Sequence, residues 1–160
     1  MAEPPIWGIH AGRGGEAEAL FMNGDVALCW YQTGDLSDLR PNRDAFKARV
    51  AKVYPGWSPQ VVANIAGQLF RFVNEMQLGD YIAWRSKTDG QIRVGRISGS
   101  YRYVPQERDR CPHQRRVEWL KKAPPSDLSS RARSGVGLRQ TVAKISKHLE
   151  EWRDFIPIRV

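Results

Sequence analysis

The chain has 160 residues, 41% of them hydrophobic, which suits one domain with a core of its own. No apolar run approaches the ~18 residues that cross a bilayer. The opening MAEPPIW lacks the basic-then-apolar order of a secretory leader, so a cytoplasmic protein is expected.

In chain order, IWGIHA (residues 6–11) reads as a first strand and EAEALFM (16–22) as a short amphipathic helix stopped by Asn23-Gly24. DVALCW (25–30) is an apolar run of strand length, followed by a turn-rich loop, YQTGDLSDLRPN. Asn42 is placed to cap a helix over 43–53, and Ser58-Pro59 to open a longer one whose Val62, Ile65, Leu69, Phe72, Val73 and Met76 recur at helical spacing. YIAWR (81–85), the turn Thr88-Asp89-Gly90 and QIRVGRIS (91–98) spell a hairpin. Residues 101–104 continue extended, 105–112 form a proline-bounded loop, and HQRRVEWLK (113–121) alternates as a strand. A weak helix over 127–133, a strand over 141–145 and a last helix over 147–155, capped by Ser146, complete the reading. The sum is an α+β domain with a strongly curved antiparallel sheet or open barrel of about six strands, flanked by helices. Residues 1–146 form the domain, and 147–160 a C-terminal helix and tail that end it or lead to an effector domain.

The charge is lopsided. Residues 93–160 hold 16 Lys/Arg against 7 Asp/Glu, a net +9, while the first 92 hold 9 against 10. With six tryptophans in the chain, that basic half suits a polyanion carrying stackable rings. Catalytic patterns are lacking: no nucleophile elbow, phosphate loop or zinc-protease helix occurs. Glu118 and Lys121, three apart on one strand, fall on opposite faces and so make no nuclease centre. Cys29 reads as a small buried hydrophobe, and Cys111 has no Cys-x-x-Cys beside it to build a metal site. The expectation is a non-catalytic protein without metal or cofactor.

The ordered series G-R-G-G-E (12–16), W-x-x-x-G-D-L (30–36), G-Q-L-F-R-F (67–72) and G-x-I-x-G-x-Y-x-Y (95–103) resembles the PUA-like domains that precede Mrr-like nucleases in prokaryotic restriction systems. It is also similar to the wider EVE and YTH group of modified-base readers. The resemblance runs from Trp7 to about Ile145. It implies a PUA-like curved sheet with an aromatic pocket that receives a flipped methylated base, in double-stranded DNA. Its partner would be a nuclease domain or subunit, which has no counterpart within these residues. RNA binding, or an accessory role in RNA modification on the same fold, is the alternative.

Individual residues fit such a pocket. Trp30 ends a strand and is followed by Tyr31, Gly34 and Asp35, an aromatic wall with a carboxylate for a base edge; core packing for Trp30 and turn-capping for Asp35 are the competing roles. Trp84 is a second wall or a core residue. His10 and Arg13 flank the glycine-rich turn, with Gly14 offering a backbone N–H to a phosphate. Gln68, Phe70 and Arg71 share one helix, with Gln68 and Phe70 assigned to the pocket and Arg71 to the nucleic-acid backbone. Arg96, Tyr101, Arg102, Tyr103, Arg115 and Arg116 interleave cations with rings and are assigned to the backbone as well.

Overall fold

The structure, a computed structural model, describes residues 3–12, 14–107, 110–137 and 140–157. Its elements are β1 (Ile6–Ile9), α1 (Glu18–Met22), β2 (Asp25–Leu28), α2 (Arg43–Val53), α3 (Pro59–Phe70), β3 (Tyr81–Arg85), β4 (Ile92–Ile97), β5 (Arg102–Tyr103), β6 (His113–Ala123), α4 (Ser130–Arg133), β7 (Val142–Lys144) and α5 (Leu149–Phe155). Six strands run in the order β2-β6-β4-β3-β1-β7, with the short β5 paired to β6. The sheet curls into a half-barrel flanked by helices, as expected from the alternating strands. It is mixed, because β1 and β3 pair in parallel. A parallel pair needs a long crossover, and here the crossover holds β2 and the three helices α1, α2 and α3.

Local chemistry sets the boundaries. Asn42 Oδ1 accepts from Ala45 N at 2.8 Å, and Ser58 Oγ accepts from Val61 N at 3.3 Å, with Pro59 at the first helical position. The long helix does not simply run on to Met76. After Phe70 it widens into a π-helical turn over Arg71–Glu75, closed by Met76 N donating to Arg71 O. The last helix starts later than Ser146 suggests. Its cap position is His148, in the left-handed region at φ 56°, with no side-chain capping bond.

Alternation sends β-strand side chains to two cores. Trp7, Ile9, Ile82, Trp84 and Val117 join the helices α1 to α3 on one face. Ile6, Ala83, Ile92, Val94 and Ala123 meet Ala132, Trp152, Phe155 and Ile156 on the other. Helix α5 is therefore part of the second core, not a loose tail. Strand β6 serves both faces through a bulge. Val94 pairs with Lys121 but Gly95 pairs with Trp119, which leaves Leu120 unmatched. Before the bulge Trp119 packs on the first core; after it Lys121 lies 4.0 Å from the Phe155 ring centre on the second. The extra residue also puts Glu118 and Lys121 on the same face, correcting the simple strand count. Lys121 is committed there, its Nζ donating to Phe155 O at 2.9 Å. Gly95 is required opposite the bulge, since a Cβ would come within 2.6 Å of Glu118 O.

Candidate functional site

A half-open cavity of about 190 Å³ lies where β2 runs out. Ala27, Cys29 and Trp30 form one side, Gly12 and Glu16 the glycine-rich turn opposite, and Thr141 the lead-in to β7. Gly12 has φ +77°, and a Cβ there would collide with the Glu16 side chain at 2.4 Å. The turn is thus folded tightly around its own carboxylate. Glu16 Oε2 accepts from Gly14 N at 2.8 Å. Cavities for drug-sized ligands run to about 300–1,000 Å³, so this one has the scale of a single planar ring system. Its lining residues with rings or polar side chains are Trp30, Glu16 and Thr141, beside Cys29.

The Trp30 wall is held by a directional chain of hydrogen bonds. Thr33 Oγ1 donates to Trp30 O at 2.8 Å, so it must receive from His113 Nε2, also at 2.8 Å. His113 Nδ1 is then an acceptor and takes the Tyr101 hydroxyl proton at 2.8 Å. Leu36 N donates to the Tyr101 oxygen at 3.2 Å. Arg49 clamps the same loop from α2 through Thr33 O at 2.7 Å and Asp35 O at 3.2 Å. Burial pushes the His113 imidazole down to about 4, against weaker raising contributions from Trp30 O and Asp35; it is neutral at pH 7. Burial raises the Tyr101 phenol, which stays protonated. Beside the wall, a disulfide between Cys29 and Cys111 ties the end of β2 to the approach of β6. Cys29 is therefore half-buried and cross-linked, and not simply a small core residue.

The sequence matches a family described as a domain of unknown function, DUF8426, over residues 7–146. The chain belongs to the DUF8426 family. Comparison with curated proteins and with solved structures gave no match.

The structure of this DUF8426 chain sorts the residues singled out from the sequence. Of the eight base-pocket candidates, Trp30 lines the cavity. His10 stands next to it, half-buried, its backbone N–H donating to Thr141 O at 2.8 Å. Tyr31 is exposed on the turn that follows Trp30. Arg13 lies outside the described residues. Asp35 turns away to cap its own loop, with Oδ1 accepting from Ser37 N at 2.9 Å and Ser37 Oγ at 2.7 Å. Trp84 is a core residue, fully buried and 5.0 Å edge-on to Phe21. Phe70 packs edge-on to Phe46 at 5.4 Å beneath the Arg43 guanidinium.

Gln68 and Arg71 brace an edge strand. Gln68 Oε1 accepts from Val142 N at 3.0 Å, and Arg71 Nη1 donates to Val142 O at 3.3 Å. They satisfy the outward-facing backbone of β7, the last strand of the sheet. Arg115 is buried too, donating to Gly99 O, Phe72 O and Met76 O, and so closes the π-helical turn. Arg96 lies over the Tyr81 ring, Tyr101 belongs to the His113 chain, and Tyr103 leans on the His113 ring at 6.0 Å. Arg102 and Arg116 remain half-exposed and share Asp25, at 2.7 and 3.1 Å. Gly14 is exposed, its N–H used by Glu16.

Four contributors were not visible in the sequence. Glu16, not Asp35, supplies the pocket carboxylate; its position directly after three glycines within four residues was the available signal. His113 opens the strand HQRRVEWLK beside two arginines, and nothing local marks it as buried. Tyr54 and Trp57 stack at 4.0 Å between α2 and α3, and a Gln32 backbone hydrogen bond brings Tyr54 against the turn after Trp30.

Proposed function

We propose that this chain is a non-catalytic nucleic-acid reader that binds DNA and takes a flipped, modified base into the Trp30 pocket. The observation that carries the reading is the convergence of Trp30, Glu16 and Thr141 on the lining of one cavity of about 190 Å³. A flipped base needs a π-face to stack on and polar groups at its edge. The exposed pair Arg102 and Arg116 supports a strand beside it, as does the basic second half of the sequence. The reading places the protein in the cytoplasm, as the recognition part of a modification-dependent restriction system whose nuclease is a separate domain or subunit. In that reducing compartment the Cys29–Cys111 pair would be held largely as thiols.

A binding panel tests it. Labelled duplexes, plain or carrying 5-methylcytosine, 5-hydroxymethylcytosine or N6-methyladenine, are compared with matching RNA across a salt series. The expected result is preference for one modified duplex, with log K falling against log salt at a slope of roughly −4 to −5, as for about four to six neutralised phosphates. A flat salt response with no preference removes the reading; stronger binding to the RNA set moves the substrate to RNA.

A further inference from the structure

A second cavity, of about 370 Å³, opens where the chain leaves β7 for α5. Arg131, Ser134, Lys144, Ser146, Lys147 and His148 are among its lining residues, and no carboxylate is. Among the described residues, neither Arg131, Lys144 nor Lys147 is in an ion pair. The Lys144 ammonium stands 5.2 Å from the centre of the Trp7 ring, its register partner on the first face of the sheet, so Arg131 and Lys147 are the cations this cavity relies on. Like charges gathered in a concave site repel one another and raise the local positive potential unless an anion enters.

The backbone is shaped to this cavity as well. His148 adopts the left-handed conformation, φ 56° and ψ 37°, which a non-glycine residue takes at an energetic cost. That turn folds Ser146-Lys147-His148 back along the cavity rim. His148 also borders an acidic cleft with Glu150, Glu151 and Asp154. Glu151 is engaged there, its two oxygens accepting from Ser129 N and Ser129 Oγ at 2.6 Å each. Ser129 is the N-cap of α4, the helix that carries Arg131, so Glu151 is spent on holding that helix in place.

We infer that this cavity is a phosphate-binding site, and that a backbone phosphate of the bound strand occupies it. The second half of the inference rests on the reading of the Trp30 pocket. The two cavities share one strand. Thr141 lines the first and Lys144 the second, three residues or roughly 10 Å apart along an extended chain. The two cavities therefore lie near each other along the same stretch of chain, and a strand whose base is held at Trp30 is expected to pass the second with its backbone. Two hydroxyls and two or three cations supply the charge-assisted donors that a phosphodiester takes up.

The test uses pyrophosphate and DNA as separate probes on the full chain. Pyrophosphate should shift the amide resonances of Ser134 and of residues 146–148 saturably. The shifts should vanish in the double variant Arg131→Gln/Lys147→Gln and persist in Trp30→Ala. The double variant, altered only at exposed positions, should bind modified and plain DNA about tenfold more weakly alike, with a salt slope shallower by about 2. Absence of saturable shifts at these residues overturns the site, even if Trp30-dependent base selectivity is intact. Shifts without any loss of DNA affinity in the double variant overturn occupancy by the strand. Shifts with no DNA binding by the unaltered chain leave the phosphate site standing and remove the base reading instead.

Discussion

His113 Nε2 donates to Thr33 Oγ1 at 2.8 Å across 80 residues of sequence, and this single bond couples strand β6 to the loop that carries Trp30. The imidazole is fully buried and works only as the neutral tautomer, because its Nδ1 accepts a hydrogen bond from the Tyr101 hydroxyl.

The coupling predicts a pH dependence. In the unfolded chain His113 titrates near 6.5, whereas in the fold burial holds it at about 4. Between those values the unfolded chain takes up a proton that the folded one refuses, so stability falls as pH drops from 6.5 toward 4. The loss approaches about 3 kcal/mol and is absent above pH 7. Urea unfolding at pH 7.5 and pH 5 measures it. His113→Gln should be less stable by about 1–3 kcal/mol at pH 7.5, from the unpaired Thr33 and Tyr101 groups, and should lose most of this pH dependence.

The edge strand supplies a second expectation. Gln68→Leu leaves Val142 N without its partner, costing about 1–3 kcal/mol for a buried unsatisfied donor. If Gln68 is a brace for β7, amide exchange at Val142 and its neighbours accelerates while exchange in β3 and β4 does not. Unchanged exchange at Val142 would show that the brace is not needed.

Trp84 offers a third. Its indole N–H has no hydrogen-bond partner among the described residues, and an unpaired buried donor is itself a cost. Trp84→Phe should therefore change stability by no more than about 1 kcal/mol, whereas Trp84→Ala should cost about 3–5 kcal/mol through the cavity it leaves. Thermal unfolding of the two variants makes the comparison, and Trp84→Phe should leave any base preference as it was.

How far the sequence could be read follows from the range of the interactions involved. Asn42, Ser58-Pro59 and the Thr88-Asp89-Gly90 turn act on neighbours within three or four residues, so helix starts and the hairpin were visible directly. The bulge at Leu120 was not, because it depends on Gly95 in another strand accepting a close backbone. Among the pocket candidates, Trp30 was legible from its place at a strand end. Gln68, Arg71 and Arg115 carry polar groups that sequence reading turns toward a ligand, but their partners are backbone atoms 71 to 74 residues away for the first two and 39 to 43 for the third, apart from the nearer Gly99. A polar side chain in a basic sequence advertises charge, and only the fold shows which backbone atom has already claimed it.

The proposed function turns on Trp30 as the stacking wall for a flipped base. The most direct measurement compares Trp30→Ala with Arg102→Ala, both shown to be folded, on plain and modified duplexes. Stacking on an aromatic ring is worth roughly 1–3 kcal/mol per base, so Trp30→Ala should lose the preference for modified DNA while keeping most of its affinity for plain DNA. Arg102, half-exposed beside Asp25, should lower both affinities together and make the salt slope shallower by about 1. Folded Trp30→Ala that still discriminates modified from plain DNA as well as the unaltered chain would contradict the claim and leave Trp30 as scaffold.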